Sequence, residues 1–261
     1  MANGLFVFAT TVIEFIEDPA YNDPAGQLKR LASTAVSAGS HRLLDTLYLQ
    51  VLETAFPEIS DDLSVRLKSV LGSIVIIQDH LPVAGLSCLV GLTAGAVYDS
   101  LIGLHSVLVV PESETSTSAI RIIHPSFADF LVDSDRCTNG SFAINSRQQH
   151  TDLLRGCLNT LRELKRDICN VRDPSLLNTE IPNLLDQIEK AIPAHLRYAC
   201  RHWYTHLMNG ELLDEILDAL LEFVQKQLPY WVEACSVLGV LREAISGLSE
   251  SRRKLTVSAV Y

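Results

Sequence analysis

Residues 104–132 constrain the fold more than any other stretch of the chain. Two short β-branched runs, 106–110 and 119–123, flank a polar turn at 111–118, and the second leads straight into His124-Pro125-Ser126-Phe127-Ala128-Asp129-Phe130-Leu131. Branched side chains favour extended backbone, so two such runs joined by a serine- and threonine-rich link predict a hairpin with a loose tip. Helical periodicity precedes the hairpin. Leu67, Val70, Leu71, Ile74 and Ile77 share one face, and 83–90 and 94–104 give two further helices, separated by Gly91, with Thr93 placed to cap the second. Helix, helix, helix, strand, wing, strand is the order of a winged helix, predicted here over 61–135.

The flanks read as helical throughout. On the N-terminal side, Leu5, Phe8, Ala9, Val12, Ile13 and Ile16 form one stripe. Asp23-Pro24 then supplies a cap and a proline at the first helical position before Leu28, Leu31 and Ala35. Leu44, Leu47, Tyr48, Val51, Leu52 and Ala55 make a third stripe that Pro57 stops. With a polar loop at 37–40, residues 1–60 are expected to form a small bundle, and so apolar a first helix implies a packing partner upstream.

Beyond 135, a short extended segment is expected at 141–144. Helical faces follow at Leu154, Cys157, Leu158, Leu161 and Ile168; at Leu196, Ala199, Cys200, Trp203 and Leu207; and at Leu213, Ile216, Leu217, Leu220 and Val224. A last helix is expected from Pro229 through Trp231, Ala234, Cys235, Leu238 and Leu241. The predicted fold is thus mainly α: a helical bundle, a winged-helix domain with a β-hairpin wing, and a helical domain over 136–250. A tail at 251–261 would leave Arg252-Arg253-Lys254 solvated.

Charge narrows the function. With 31 acidic against 21 basic residues the net charge is -10, which disfavours nucleic acid and anionic membranes as partners. The helix before the wing, 94–103, has no Arg or Lys, and the wing itself carries Glu112 and Glu114, so a DNA-reading role lacks both phosphate and base contacts. The eighteen uncharged residues 81–98 are divided by Pro82, Gly85, Gly91 and Gly95 and predict two packed helices rather than a membrane span. Six widely spaced cysteines without a CxxC pair fit buried, reduced thiols and a cytoplasmic location.

Chemistry-bearing residues are few. His124 stands between a strand and a helix, where an imidazole beside helix N-terminal dipoles can meet an anion; the alternative is a histidine satisfied by backbone. Ser126 and Asp129 lie close by, but no GxSxG elbow or glycine-lined oxyanion turn accompanies them. His202 and His206 are one helical turn apart with Cys200 nearby; without HExxH, and with Cys200 and Trp203 in an apolar stripe, packing is the favoured role, and no metal site is predicted. Neither GxxxxGK[ST] nor GxGxxG is present, so the chain by itself has no apparatus for gripping a nucleoside triphosphate and no catalytic residues are assigned.

The segments GLFVFATTVIEFI (4–16), DTLYLQVLETAF (45–56), LKSVLGSIVIIQDHLPVAGLSCLVGL (67–92), SVLVVP (106–111), IRIIHPSFADFL (120–131), LKRDICNVRDPSLLNTEI (164–181) and LRYACRHWYTHL (196–207) together resemble mushroom-type fungal NACHT proteins, NOD-like receptors of the STAND ATPase class. The resemblance covers 4–245 and corresponds to the section after the nucleotide-binding core. It implies an upstream P-loop module that binds ADP or ATP, a downstream repeat domain, self-association on activation, and a role in fungal innate immunity or heterokaryon incompatibility. By this resemblance His124 matches the histidine of the winged-helix MHD motif that contacts the terminal phosphate of ADP, while Pro125 stands where the motif has aspartate. The expected function is regulation and interdomain packing within a nucleotide-controlled signalling NTPase. The alternatives are a stand-alone interaction or scaffold domain without nucleotide control and, more remotely, an enzyme built across the helix faces.

Overall fold

The computed structural model describes residues 2–34, 42–173 and 175–258; Ala35, the loop at 37–40 and Pro174 lie outside them. The chain is mainly helical, with one two-stranded antiparallel sheet among the described residues, and forms two compact units. The first comprises 1–84 and 92–146, so that residues 1–60 share a unit with all of 61–135 except 85–91; the second comprises 85–91 and 147–261. No described helix is long and apolar enough to cross a membrane.

The first unit holds α1 (Ala2–Ile16), α2 (Pro24–Thr34), α3 (Arg42–Ala55), α4 (Asp61–Ile76), the first two residues of α5 (Val83–Val90), α6 (Ala94–Asp99), β1 (Leu108–Val109), β2 (Arg121–Ile122) and α7 (Pro125–Val132). Local chemistry sets several boundaries. Ser60 caps α4 by accepting the Leu63 amide, with Asp61 and Asp62 on the favourable end of the helix dipole, and Thr93 caps α6 by accepting from Ala96. Tyr48, Val51 and Leu52 of α3 are buried, as are Leu67, Val70 and Leu71 of α4 and Phe127, Phe130 and Leu131 of α7. Tyr48 meets Phe127 edge-on with ring centroids 5.2 Å apart and reaches Phe130 at 5.6 Å, which fixes α3 against α7.

The structure departs from the sequence reading at four places here. In α1 the buried line is Val7, Thr11 and Phe15, whereas Ile13 is exposed; a helix apolar nearly all round carries no periodic signal that selects its inner face. The helix expected to reach Leu104 stops at Asp99. Ser100 turns its hydroxyl back to the Ala96 carbonyl and Gly103 adopts a left-handed φ of 85°, so Leu101 and Leu104 are buried from successive turns instead. The strands shorten to two residues each, pairing Leu108 with Ile122 and Val109 with Arg121, because the amides of Val107 and Leu108 both turn back to Leu104 O. Residues 141–144 are not a strand: Phe142 and Ala143 both donate to Asn139 O in a tight turn that buries Phe142.

The second unit contains Gly85–Gly91, all but the first residue of α8 (Ser146–Leu161), a short 3-10 turn (Asn178–Glu180), α9 (Leu184–Ala191), α10 (Ala194–Asn209), α11 (Asp214–Lys226), α12 (Leu228–Val237) and α13 (Leu241–Ser258). Its core is aromatic and thiol-rich. Trp203, Phe223 and Trp231 pack with centroids 5.1–6.0 Å apart, and the Trp231 indole donates to Cys200 O at 3.0 Å. Cys157, Cys200 and Cys235 are buried free thiols; Cys88 is the exposed one. The helix expected to continue to Ile168 ends at Leu161, and the following loop is organised by Asp167, whose carboxylate accepts the amides of Val171 and Arg172. Gly239, at φ 69°, splits the expected last helix into α12 and α13.

Arg252-Arg253-Lys254 is helical, as part of α13, with Arg252 and Arg253 exposed and Lys254 half-buried. The Lys254 ammonium donates to the carbonyls of Leu207, Met208 and Gly210 at 2.6, 3.0 and 3.0 Å, satisfying the open C-terminal end of α10 with a positive charge. Lys254→Met keeps the aliphatic stem but not the donors, and is expected to lower the stability of this unit by about 1–2 kcal/mol in chemical denaturation.

Candidate functional site

His124 is the N-cap of α7, with extended backbone (φ -138°, ψ 135°), and Pro125 opens the helix with the φ it already prefers. The imidazole Nδ1 lies 3.2 Å from the Ser126 amide and 2.7 Å from Ser126 Oγ. An amide can only donate, so Nδ1 is an acceptor and the ring carries its proton on Nε2. The direction then propagates. Ser126 O–H donates to Nδ1, and the Tyr48 hydroxyl, 2.7 Å from Ser126 Oγ, donates to the serine in turn. Burial pushes the Tyr48 hydroxyl pKa up, which suits a proton that stays on the phenol.

α3 grips α7 at both ends. Asp45, one turn before Tyr48, accepts from Arg136 Nε at 3.1 Å and from its terminal nitrogen at 2.7 Å, holding the segment that follows α7. These partners were not assigned from sequence. The one local signal was Tyr48, a hydroxyl on a stripe otherwise apolar, which does not say which residue it meets. The half-buried His124 thus keeps a fixed ring, with Nε2 free of hydrogen-bond partners among the described residues.

The contact between Ser126 and His124 is real, but it has no third member: no carboxylate hydrogen-bonds the other ring nitrogen among the described residues, and Asp129 is exposed on the next turn. The acidic link between β1 and β2 meets α6, where the Tyr98 hydroxyl donates to Glu112 O at 3.1 Å.

Cys200, His202 and His206 do not converge. Cys200 faces Trp231 and Cys235, and hydrogen bonding with Cys235 together with burial pushes its thiol pKa well up. His206, fully buried, instead joins His150 of α8, Nδ1 to Nδ1 at 2.9 Å, and the Tyr198 hydroxyl at 2.7 Å from Nε2. Burial, reinforced by His150 and His202, pushes the His206 pKa down to about 3, and burial also lowers that of His150. Sequence reading missed His150 because 56 residues separate it from His206. Among the described residues no three His, Cys, Asp or Glu side chains are arranged to hold a metal ion. No family model, curated protein or solved structure matches the chain.

Proposed function

We propose that the chain is a regulatory and interdomain-packing segment of a nucleotide-controlled signalling NTPase, with no catalytic centre of its own. The observation that carries this reading is the fixed donor at His124. Its Nδ1 is occupied by Ser126, its tautomer is set, and Nε2–H is left to meet an anion supplied from outside the segment. The hairpin of β1 and β2, coming after α4, α5 and α6, supports a winged-helix reading of the same region. In this reading ADP or ATP sits mainly on an upstream P-loop module, His124 touches its terminal phosphate, and loss of that contact shifts the population toward an open, self-associating form. The protein acts in the cytoplasm, in fungal innate immunity or incompatibility.

Mapping the transcript upstream of Met1 tests the reading first, since a P-loop module must be encoded there. In the protein containing both, His124→Ala is expected to speed ADP release about tenfold, the loss of one modest hydrogen bond to a charged group. Unchanged release, or no P-loop in the transcript, rejects it. A stand-alone interaction module is the second reading, favoured by the uncovered apolar face of α11.

A further inference from the structure

α11 is apolar over a wider arc than the second unit covers. Ile216, Leu220 and Phe223 are buried against the tryptophan cluster. Beside them Leu213, Leu217, Leu221 and Val224 form a second line, spaced four, four and three residues apart and 37%, 41%, 56% and 50% exposed. Residues at such spacing lie along one side of a helix, so the line is one continuous apolar stripe about three turns long rather than scattered surface leucines.

The charges around it are unevenly satisfied. On the far flank Glu215 is paired with Arg155, and Glu222 with Arg162 and Lys226. On the flank that borders the stripe, Asp214 and Asp218 lie one turn apart and make no ion pair among the described residues. An apolar stripe edged by unneutralised carboxylates fits an amphipathic helix with aliphatic residues at three- and four-residue spacing and Lys or Arg beside them. An antiparallel second copy of the chain fits it poorly. Two copies meeting on this stripe in antiparallel fashion bring their Asp214–Asp218 ridges together, on chains that each carry a net charge of -10.

We infer that the Leu213–Leu217–Leu221–Val224 face of α11 is a docking surface for a basic amphipathic helix of a partner protein. The inference is independent of nucleotide control.

The full chain is titrated with an eighteen-residue peptide of Leu and Lys patterned as such a helix, and with the matching Leu and Glu peptide, by calorimetry, while sedimentation reports the chain's own association state. The basic peptide is expected to bind and the acidic one not, with affinity falling as salt rises. Leu217→Ser with Leu221→Ser, both exposed and tolerable to the fold, is expected to weaken binding roughly thirtyfold. Asp214→Lys with Asp218→Lys is expected to weaken the basic peptide about tenfold and let the acidic one bind. Equal binding of both peptides, binding of the basic peptide that neither double variant changes, or a homodimer that the serine variant dissolves overturns the inference. Melting curves of both variants establish that each is folded.

Discussion

Replacing Gly156 by valine is expected to unfold the second compact unit. Gly156 lies inside α8, and a Cβ at this position would come 2.0 Å from the carbonyl oxygen of Leu89 and 2.9 Å from its carbonyl carbon. Such a clash is with backbone, not with the movable end of a side chain, so relief requires the α5 segment to lift away from α8. Overpacking a tight core costs about 1–3 kcal/mol, and more where backbone must shift. Gly156→Ala should therefore lose about 3 kcal/mol, and valine a larger share of the whole stability of a domain this size. Gly140 supplies the control: no heavy atom lies within 4 Å of its would-be Cβ and its φ is not left-handed, so Gly140→Ala should leave the denaturation midpoint nearly unmoved. An unchanged midpoint for Gly156→Ala would show that α5 and α8 do not approach so closely.

That crossing was not legible in the sequence. Gly85 and Gly91 read as breaks in an uncharged stretch, and nothing in their spacing said that the neighbour of Leu89 would be a glycine 67 residues downstream. What the pattern did carry was the inner face of well-segregated helices. Leu47, Tyr48, Val51 and Leu52 are buried as their period requires, and so are Leu67, Val70, Leu71 and Ile74. Where apolar residues surround a helix the period is mute, hence the misplaced face of α1 and the undivided stripe assigned to α11, of which Leu213, Leu217 and Val224 are exposed.

The candidate site divides along the same line. His124, Pro125 and Ser126 are neighbours in sequence, and an N-cap reading follows from the chemistry of a strand running into a proline-led helix. Tyr48, Asp45 and Arg136 are brought there only by the packing of α3, across separations of 78 and 91 residues, and pairwise side-chain chemistry gives no hint of such a partner. The same holds for Lys254, which lies near the C-terminal end of the described chain and yet closes the end of α10. Local hydrogen bonds are written in neighbouring residues; tertiary ones depend on which apolar faces meet first.

Acid is expected to loosen the second unit well before its carboxylates are protonated, because of His206. A histidine in the unfolded chain has a pKa near 6.5, while burial holds that of His206 at about 3. Between those values the unfolded chain binds a proton that the folded chain does not, so stability rises with pH across this window and levels off above 6.5. The slope for one such group is about 1.4 kcal/mol per pH unit, which gives about 2 kcal/mol lost between pH 6.5 and pH 5. His150 steepens the fall, since burial and the nearby Lys254 charge also press its pKa down. A proton arriving at this pair must either break the 2.9 Å contact between the two Nδ1 atoms, each of which would then need to donate, or sit in the core beside Tyr198 and His202. Both tryptophans of the chain, Trp203 and Trp231, lie in this unit, so urea denaturation followed by tryptophan fluorescence reads its stability selectively. The midpoint should fall steadily from pH 6.5 to pH 5. His206→Phe, which leaves Tyr198 and His150 without their shared partner, should start from a lower midpoint at pH 7 and show a much shallower slope. A wild-type midpoint that stays flat across the same range would mean that His206 takes up its proton without leaving the core.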